Sequence, residues 1–349
     1  MREAAYLSVV LLATSSCALS SMRNNPVDAN VADSGEPDAG AMDAGGADSD
    51  VQVCPDQSVD ETLVSFAVHE DTALTGYFHL FEAREGCLRA FPMDGLSDGN
   101  IEDVVWFGDT WWVMQFGGLG SSAGQVSRWS ASELRWVSTG TALGRFFVAT
   151  NDVLLQGSQK WDPGAFAWRP VVIPDAVDAP VATHKWFYVR AQSGVQRSRD
   201  AETWEFVAYN GVPSLPYLVA SQNALFVEDS LSSGALRSLG DDASEFEMLS
   251  SANEQRPILF PGSGSWLGVG LSAARASGPF FASTGLGAPW VERSGLTLPL
   301  RDGTSDRYRA VVDGDRLVRT RFAEGQSQLV QSTDVGATWT LFGSALPAP

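Results

Sequence analysis

A phased repeat of short polar turns is the feature that most restricts how this chain can fold. One tight turn between two apolar segments recurs at Asp109, Asp152, His184, Asn223, Gly264 and Gly314. An aromatic residue that opens a later segment recurs at Trp136, Trp168, Trp204, Phe246, Trp290 and Trp339. Both series have a mean interval of about 41 residues, a length typical of one four-stranded repeat unit. Two separately chosen landmarks therefore indicate the same repeat.

Each unit is predicted to contain four β-strands. In one unit, Asp103–Phe107 turns at Gly108 and Asp109 into Trp111–Met114, and Val126–Trp129 later turns into a strand that contains Trp136. Short alternating or β-rich runs separated by turn residues are the pattern of strands. Helical periodicity is limited to one short predicted helix around Asp242 to Asn253.

A less regular unit precedes the six clear ones. Its predicted first strands are Leu63–Val68 and Tyr77–Phe81, and Leu88–Phe91 follows them. We therefore predict an all-β fold, a β-propeller over residues 53–349 with seven four-stranded blades. Six blades with a capping segment are the alternative. Closing the sheets into a ring removes most exposed sheet edges.

The N-terminal segment has the pattern of a signal peptide, predicted over residues 1–16. Arg2 precedes an apolar stretch, Leu7–Leu12, which is too short to span a bilayer. The small residues 13–16 before Cys17 resemble a bacterial lipoprotein box, although Thr14 stands where leucine is usual. This resemblance implies lipid attachment at Cys17 and a place in the bacterial cell envelope, as an outer membrane lipoprotein or at the surface. The alternative is cleavage after Ser20 and secretion.

Residues 17–52 are predicted to be a disordered linker behind the lipidated cysteine. The segment is rich in Asp, Ala and Gly, and it contains the near-repeats Asp38–Gly40 and Asp43–Gly45. Few apolar side chains and many like charges cannot offset the entropy of ordering. Calcium binding is the sharper alternative, but the aspartate spacing of a calcium loop is absent.

The remaining two cysteines, Cys54 and Cys87, are predicted to form a disulfide. An even number of cysteines in an exported protein favours pairing. The bond would pin the segment that leaves the linker to the first repeat. The alternative is two unpaired thiols, and the spacing indicates no zinc site.

The last repeat carries a turn motif, Ser332 to Trp339, that matches Ser-x-Asp-x-Gly-x-Thr-Trp through Ser332, Asp334, Gly336 and Trp339. Two partial copies share its register. One contains Ser198, Asp200 and Trp204, and the other contains Ser283, Gly287 and Trp290 but lacks the aspartate. Short Ser and Asp side chains bond nearby backbone amides, so we interpret this motif as a structural turn.

The motif resembles the Asp-box, or BNR repeat, of a β-propeller superfamily that includes sialidases, other glycosidases, sortilin-type receptors and photosystem-assembly factors. In these families the box joins the third and fourth strands, away from the ligand. The resemblance therefore implies that Asp200 and Asp334 are not catalytic. Because such propellers have many functions, the fold does not choose among them.

The same resemblance places the ligand face at the loops before each first strand and between the second and third strands. The positions this implies for a ligand face are Glu102, Arg145, Tyr217, Arg256, Arg307 and Tyr308. Convergent arginines could bind a carboxylate bidentately, as sialidases do. The alternative is solvated residues at strand ends, and the Arg-Ile-Pro signature of sialidases is missing from the first unit.

Charge excludes several partners. The net charge is −19, and Lys160 and Lys185 are the only lysines, so we expect neither nucleic-acid binding nor adhesion to an anionic membrane. No residue pattern indicates a metal, a cofactor or a histidine-based triad. We predict a monomeric binding or scaffold module for a protein, peptide or glycan, attached to a membrane only through its lipid. The alternative is a sialidase-like glycoside hydrolase.

Overall fold

A computed structural model describes most of the repeat region. The described residues are 58–61, 63–117, 124–144, 146–173, 176, 179–192, 194–207, 217–220, 224–229, 235–250, 256–261, 266–271, 279–283, 291–297, 310–313, 316–323, 326–334 and 338–344. All of them belong to one compact unit, Gln52–Pro349. The predicted signal peptide, Cys17, the linker and Cys54 lie outside them.

In the described residues, 28 strands form seven four-stranded antiparallel sheets, and each sheet is a continuous segment of the chain. The first sheet contains β1 (Ser65–His69), β2 (Thr72–Gly76), β3 (Leu80–Arg84) and β4 (Cys87–Ala90). The second contains β5 (Gly99–Phe107), β6 (Thr110–Gly117), β7 (Gly124–Ser130) and β8 (Arg135–Ala142). The third contains β9 (Phe147–Ala149), β10 (Leu154–Gln156), β11 (Gln159–Asp162) and β12 (Ala167–Pro170).

The other four sheets repeat this order. The fourth contains β13 (Val181–Ala182), β14 (Phe187–Ala191), β15 (Gly194–Ser198) and β16 (Glu205–Val207). The fifth contains β17 (Tyr217–Ala220), β18 (Ala224–Asp229), β19 (Ala235–Gly240) and β20 (Glu247–Ser250). The sixth contains β21 (Arg256–Pro261), β22 (Trp266–Leu271), β23 (Pro279–Ser283) and β24 (Val291–Thr297). The last contains β25 (Ala310–Asp313), β26 (Arg316–Ala323), β27 (Gln326–Ser332) and β28 (Thr340–Leu341).

The first strands of successive sheets lie side by side. β1 contacts β5, β5 contacts β9, and this order continues through β13, β17 and β21 to β25, which contacts β1. Four-stranded antiparallel sheets arranged around their first strands are the architecture of a β-propeller. The predicted all-β propeller is therefore confirmed. In the described ranges, no helix is long and apolar enough to cross a membrane.

The two ends of the repeat region meet in the last sheet. β28 pairs with Val330 and Gln331 of β27, and Val59 pairs with Ser327 on the same strand. The Val59 and Ser327 backbones exchange hydrogen bonds of 2.9 and 2.7 Å. The outermost position of this sheet is thus shared by residues from both ends of the region. A common core supports the closure, in which Phe66 and Leu88 of the first sheet cluster with Phe342.

Aromatic side chains fill the spaces between neighbouring sheets. Trp112 of the second sheet meets Trp161 of the third edge to face, with ring centroids 4.9 Å apart. Trp136 is fully buried, and its Nε1 donates to the Pro92 carbonyl at 2.8 Å. Large aromatic rings at sheet interfaces explain why the aromatic landmark recurs once per repeat.

The repeat landmarks agree with the strands where both are described. Asp109, Asp152 and His184 each lie between the first and second strands of a sheet. Trp136 and Trp168 lie at the start of the fourth strand, and Trp204, Phe246 and Trp339 immediately precede it. The remaining landmarks, Asn223, Gly264, Trp290 and Gly314, lie outside the described residues.

Two local predictions were wrong. The second strand of the first sheet is Thr72–Gly76, and Tyr77 lies in the next turn. The two-residue turn before it was missed because Glu70 takes the left-handed conformation (φ 53°), which favours glycine or asparagine over glutamate. The helix predicted around Asp242 to Asn253 is also wrong for its described part. Residues 247–250 form β20, because their backbone pairs with β19.

Candidate functional site

The antiparallel order gives every sheet two ends. We call the upper end the side that carries the loops before each first strand and the turns between second and third strands. The lower end carries the other turns. Of the predicted ligand-face residues, Arg145, Arg307 and Tyr308 lie outside the described residues. Tyr217 begins β17 and Arg256 begins β21, so their backbones lie at the upper end, but their side chains are outside the described part.

Glu102 is the predicted ligand-face residue whose side chain is described. It is half-buried and lies at an irregularity in the pairing of β5 with β6, between Ile101 and Asp103. The two residues on either side of it are buried. The structure therefore describes the surroundings of Glu102, and its convergence with Arg145, Arg256 and Arg307 stays a prediction.

A turn of three aromatic residues, Tyr77 to His79, projects at the upper end of the first sheet. Glu61 holds it: Oε1 accepts hydrogen bonds from the Phe78 and His79 amides, each at 3.0 Å. Its Oε2 lies 2.6 Å from His79 Nδ1. Asn100 Nδ2 donates to the Tyr77 hydroxyl at 3.0 Å. The turn is thus fixed from both sides, and it presents Phe78 with 55% of its surface exposed.

Two buried glutamines support the loops that precede first strands. Gln115, near the end of β6, donates to the Ser97 carbonyl at 3.0 Å and accepts from the Ser97 amide at 3.2 Å. Gln156, at the end of β10, donates to the Thr141 carbonyl and accepts from the Leu143 amide, both at 3.1 Å. We call Gln115 and Gln156 the glutamine braces. Sequence reasoning missed them, although they stand one repeat apart in the sequence and this recurrence could have identified them.

Exposed apolar side chains accompany these supported loops. Phe78 lies in the turn of the first sheet, Leu143 is 60% exposed in the loop before β9, and Val172 is 81% exposed in the segment after β12. Leu143 is also the residue whose amide is bound by a glutamine brace. The upper end therefore presents three large apolar groups, and side-chain hydrogen bonds restrain the backbone at two of them, Phe78 and Leu143.

A buried carboxyl lies on the first strand of the second sheet, next to Glu102. Asp103 Oδ2 accepts from the Phe147 amide at 2.6 Å, and Oδ1 accepts from the Val104 amide at 2.9 Å. Burial raises the pKa of Asp103 to about 8, although both amides and the nearby Ser65 hydroxyl favour the ionised form. The Ser65 oxygen itself falls outside good hydrogen-bond geometry. Asp103 thus links β5 to the start of β9.

The residues of the predicted Asp-box motif lie at the lower end. Asp200 Oδ1 accepts from the Thr203 amide at 2.7 Å, the Glu202 amide at 2.8 Å and the Ser198 hydroxyl at 3.0 Å. In the last sheet, Asp334 Oδ1 accepts from Ser332 and from the Thr338 amide, both at 2.8 Å. Both carboxylates are engaged by their own turns. Gly336 and the third copy at Ser283, Gly287 and Trp290 are outside the described side chains.

Asp162 makes a similar turn that the sequence motif did not reveal. Its Oδ1 accepts from the Gly164 and Ala165 amides at 2.9 and 3.1 Å. The Ala165 bond, assisted by the Arg169 guanidinium and opposed by partial burial, lowers the pKa of Asp162. The turn was missed because Lys160 and Phe166 stand where the motif has serine and threonine.

The three histidines have separate surroundings. His69 stacks on Trp106 at the lower end, with ring centroids 4.0 Å apart, whereas His79 is bound by Glu61 at the upper end. His184 lies in the turn between β13 and β14. In the described part of the chain, no group of three or more His, Cys, Asp or Glu residues could hold a metal.

Cys87, the first residue of β4, is disulfide-bonded. Its partner lies outside the described residues. Pairing with Cys54 therefore stays a prediction.

Comparison with known proteins identifies a fold but no family. No protein-family model matches the sequence. No curated protein matches it either.

Solved structures do match. The Swd1 β-propeller domain from Myceliophteria thermophila has a TM-score of 0.50 and 10% identity, over 78% of this chain and 98% of that one. A GH74 enzyme from Niastella koreensis has a TM-score of 0.50 and 11% identity, over 80% of this chain and 54% of that one. An extracellular domain of a one-component system from B. thetaiotaomicron has a TM-score of 0.48 and 10% identity, and the match covers 76% of this chain but only 39% of that one. The chain is thus a β-propeller, and at these identities the similarity extends to the fold alone.

Proposed function

We propose that this chain is an exported, seven-bladed β-propeller whose upper end binds a protein, peptide or glycan without catalysing a reaction. The observation that carries the proposal is the exposure of Phe78, Leu143 and Val172 at the upper end. Large apolar side chains on restrained backbone are the usual anchors of binding surfaces. The seven-bladed ring rests on the seven sheets and on the contact between β25 and β1.

The polar supports beneath these residues favour recognition by a preorganised surface. The glutamine braces fix the loops before β5 and β9, and Glu61 fixes the Phe78 turn. Loops that are ordered before binding lose less conformational entropy when a partner arrives. This arrangement suits a module whose task is binding.

Export and anchoring are parts of the same proposal. The signal peptide at residues 1–16, lipid attachment at Cys17 and the spacer up to residue 52 would display the propeller on the bacterial envelope. Palmitate labelling of the full chain, lost in Cys17→Ser, would support the anchor. Release of unlabelled protein into the medium would favour secretion.

The binding surface can be tested with matched exposed residues. Glycan and peptide arrays probed with the purified propeller should show ligands whose signal falls at least tenfold in Phe78→Ser and Leu143→Ser. Phe206→Ser is the control, because Phe206 is 62% exposed but lies on the fourth strand β16, away from the upper end. Equal loss in all three variants would contradict the assigned surface.

The second candidate function is a sialidase-like hydrolase that acts on a carboxylated glycan. It is favoured by the position of Arg256 at the first residue of β21, where the ligand face was predicted. A fluorogenic glycoside panel that includes a sialoside tests it. Turnover that is abolished by Arg145→Ala or Arg256→Ala would establish the hydrolase and overturn the non-catalytic proposal.

A further inference from the structure

Asp241 occupies the aspartate position of the Asp-box in the fifth sheet, but its carboxyl is not used by its own turn. It stands five residues before Phe246, as Asp334 stands five residues before Trp339. The residue is only 7% exposed. Neither carboxyl oxygen of Asp241 has a partner in good hydrogen-bond geometry among the described residues, although the Thr183 hydroxyl favours its ionised form.

A second buried polar group lies nearby on the fourth sheet. Tyr188 is fully buried, and its hydroxyl has no hydrogen-bond partner in the described ranges. Burial, with the adjacent Asp241 carboxyl, raises the pKa of Tyr188. Two unsatisfied buried groups in one place are costly unless they share a proton or a hydrogen bond.

The surrounding charges come from both sheets. The fourth sheet contributes His184 and Lys185 from the turn before β14, and Arg197 from β15. The fifth sheet contributes Asp242 beside Asp241, and Arg199 of the fourth sheet acts on Asp242. Lys185 is bound to Asp242 by two hydrogen bonds of 2.9 Å, and Arg197 is bound to Glu205. Lys185 and Arg197 are thus engaged by other carboxylates, and the Arg199 guanidinium lies over the Trp186 ring, 4.3 Å from its centroid.

The turn that contains Asp241 is held to the fourth sheet at three consecutive residues. Trp186 Nε1 donates to the Asp241 carbonyl at 2.9 Å, Lys185 binds the Asp242 carboxylate, and Arg197 Nη1 donates to the Ala243 carbonyl at 3.0 Å. These contacts keep the Asp241 carboxyl at the interface between the two sheets. An ionised Asp241 carboxylate at this interface would be drawn towards water, and its displacement would strain the three contacts that hold the turn.

We propose that Asp241 is a proton-dependent latch: its protonated carboxyl holds the turn 241–246 against the fourth sheet, and loss of the proton releases that turn. The proton gives the Asp241 carboxyl a hydrogen-bond donor of its own and removes the cost of burying its charge. Burial raises the pKa of Asp241 above 3.8, with Thr183 and Lys185 opposing the shift. The stabilisation is therefore greatest below pH 3.8 and declines as the pH rises through the raised pKa of the folded state.

Hydrogen exchange of the full chain tests the latch. After correction for intrinsic rates, protection of the peptide covering residues 241–246 should fall as the pH rises from 4 to 8, by about tenfold for each unit by which folding raises the pKa of Asp241. The equivalent turn at residues 199–204 is the internal control and should change little. Asp241→Asn should remove the pH dependence, and the same dependence in that variant would overturn the latch.

Tyr188→Phe provides a second test that does not rely on Asp241 variants. If the latch exists, removing the hydroxyl should lower the Tm by about 2–4 °C below pH 3.8, where the Asp241 carboxyl is protonated, and have little effect at pH 8. If the hydroxyl is only an unsatisfied buried group, the substitution should raise the Tm equally at both pH values. That second result would overturn the proposal.

Discussion

Asp200 and Asp241 occupy corresponding turns in neighbouring sheets, and their carboxyls behave in opposite ways. Asp200 accepts three hydrogen bonds from its own turn, all on Oδ1. Asp241 accepts none in good geometry among the described residues and is buried against the fourth sheet. The position in the repeat fixes the backbone turn, whereas the neighbouring sheet decides what the side chain can do.

The pKa values of Asp200 and Asp241 shift in opposite directions because of this difference. Partial burial tends to raise the pKa of Asp200, but the Thr203 and Glu202 amides outweigh it and the pKa is lowered. At Asp241 burial dominates, and the pKa is raised. An aspartate at this position of the repeat thus stabilises the fold at high pH in the fourth sheet, through Asp200, and at low pH in the fifth sheet, through Asp241.

The largest expected effect comes from a more deeply buried carboxyl, Asp103. Because its folded pKa is raised to about 8, its contribution to the free energy of unfolding should be greatest below pH 3.8 and decline as the pH rises through about 8. Asp103→Ala should cost about 3 kcal/mol at pH 5, since the Val104 and Phe147 amides lose their acceptor. Urea denaturation from pH 4 to pH 9 measures both effects.

Asp98→Ala is the control for Asp103, because Asp98 is exposed in the loop just before β5. It should change the free energy of unfolding by less than about 0.5 kcal/mol. A free-energy cost of Asp103→Ala that stays constant up to pH 9 would show that burial does not raise the pKa of Asp103, and it would weaken the same argument for Asp241.

The turn of Asp200 should show a smaller effect with the opposite pH dependence. Asp200→Ala removes three hydrogen bonds and should cost about 2 kcal/mol at pH 7. Since the pKa is lowered in the folded state, this stabilisation is present above pH 3.8 and is lost as the pH falls through the folded value. Asp200→Asn should keep most of the stability, because one oxygen accepts all three bonds. A large loss in the asparagine variant would show that charge, rather than geometry, maintains the turn.

The smallest effects concern the only two lysines, each of which binds the turn between the third and fourth strands of the following sheet. Lys160 is 22% exposed and donates to Glu202 at 2.5 Å and to the Asp200 carbonyl at 3.2 Å. Lys185 is 48% exposed and binds the exposed Asp242. Lys160→Met should cost about 1 kcal/mol and Lys185→Met less than about 0.5 kcal/mol in thermal denaturation, with both effects reduced by salt. Equal costs would show that exposure does not distinguish the two pairs.

Much of the fold could be predicted from the sequence because its signals are local. The turn at Asp109 depends on residues a few positions away, and the aromatic at Trp136 recurs once per repeat, so both can be read along the chain. The left-handed turn at Glu70 and the strand at residues 247–250 could not be, because tertiary pairing overrides local preference there.

The candidate site was less predictable. The glutamine braces act on loops many residues away, and Asp103 gains its role from the amide of Phe147 in the next sheet. Sequence distance conceals such contacts. Of the predicted ligand-face residues, the structure describes the side chain of Glu102 and leaves the convergence of the arginines as a prediction.

The sequence by itself determined the repeat, the all-β class and the turns that punctuate each sheet, because these depend on side chains acting on nearby backbone. Only the tertiary structure decided which carboxyls are solvated and which are buried. Asp200 and Asp241 share a place in the repeat, but the fourth sheet buries one carboxyl and leaves the other to its own turn. Desolvation depends on atoms brought close in space by the fold, and the order of residues along the chain does not specify them.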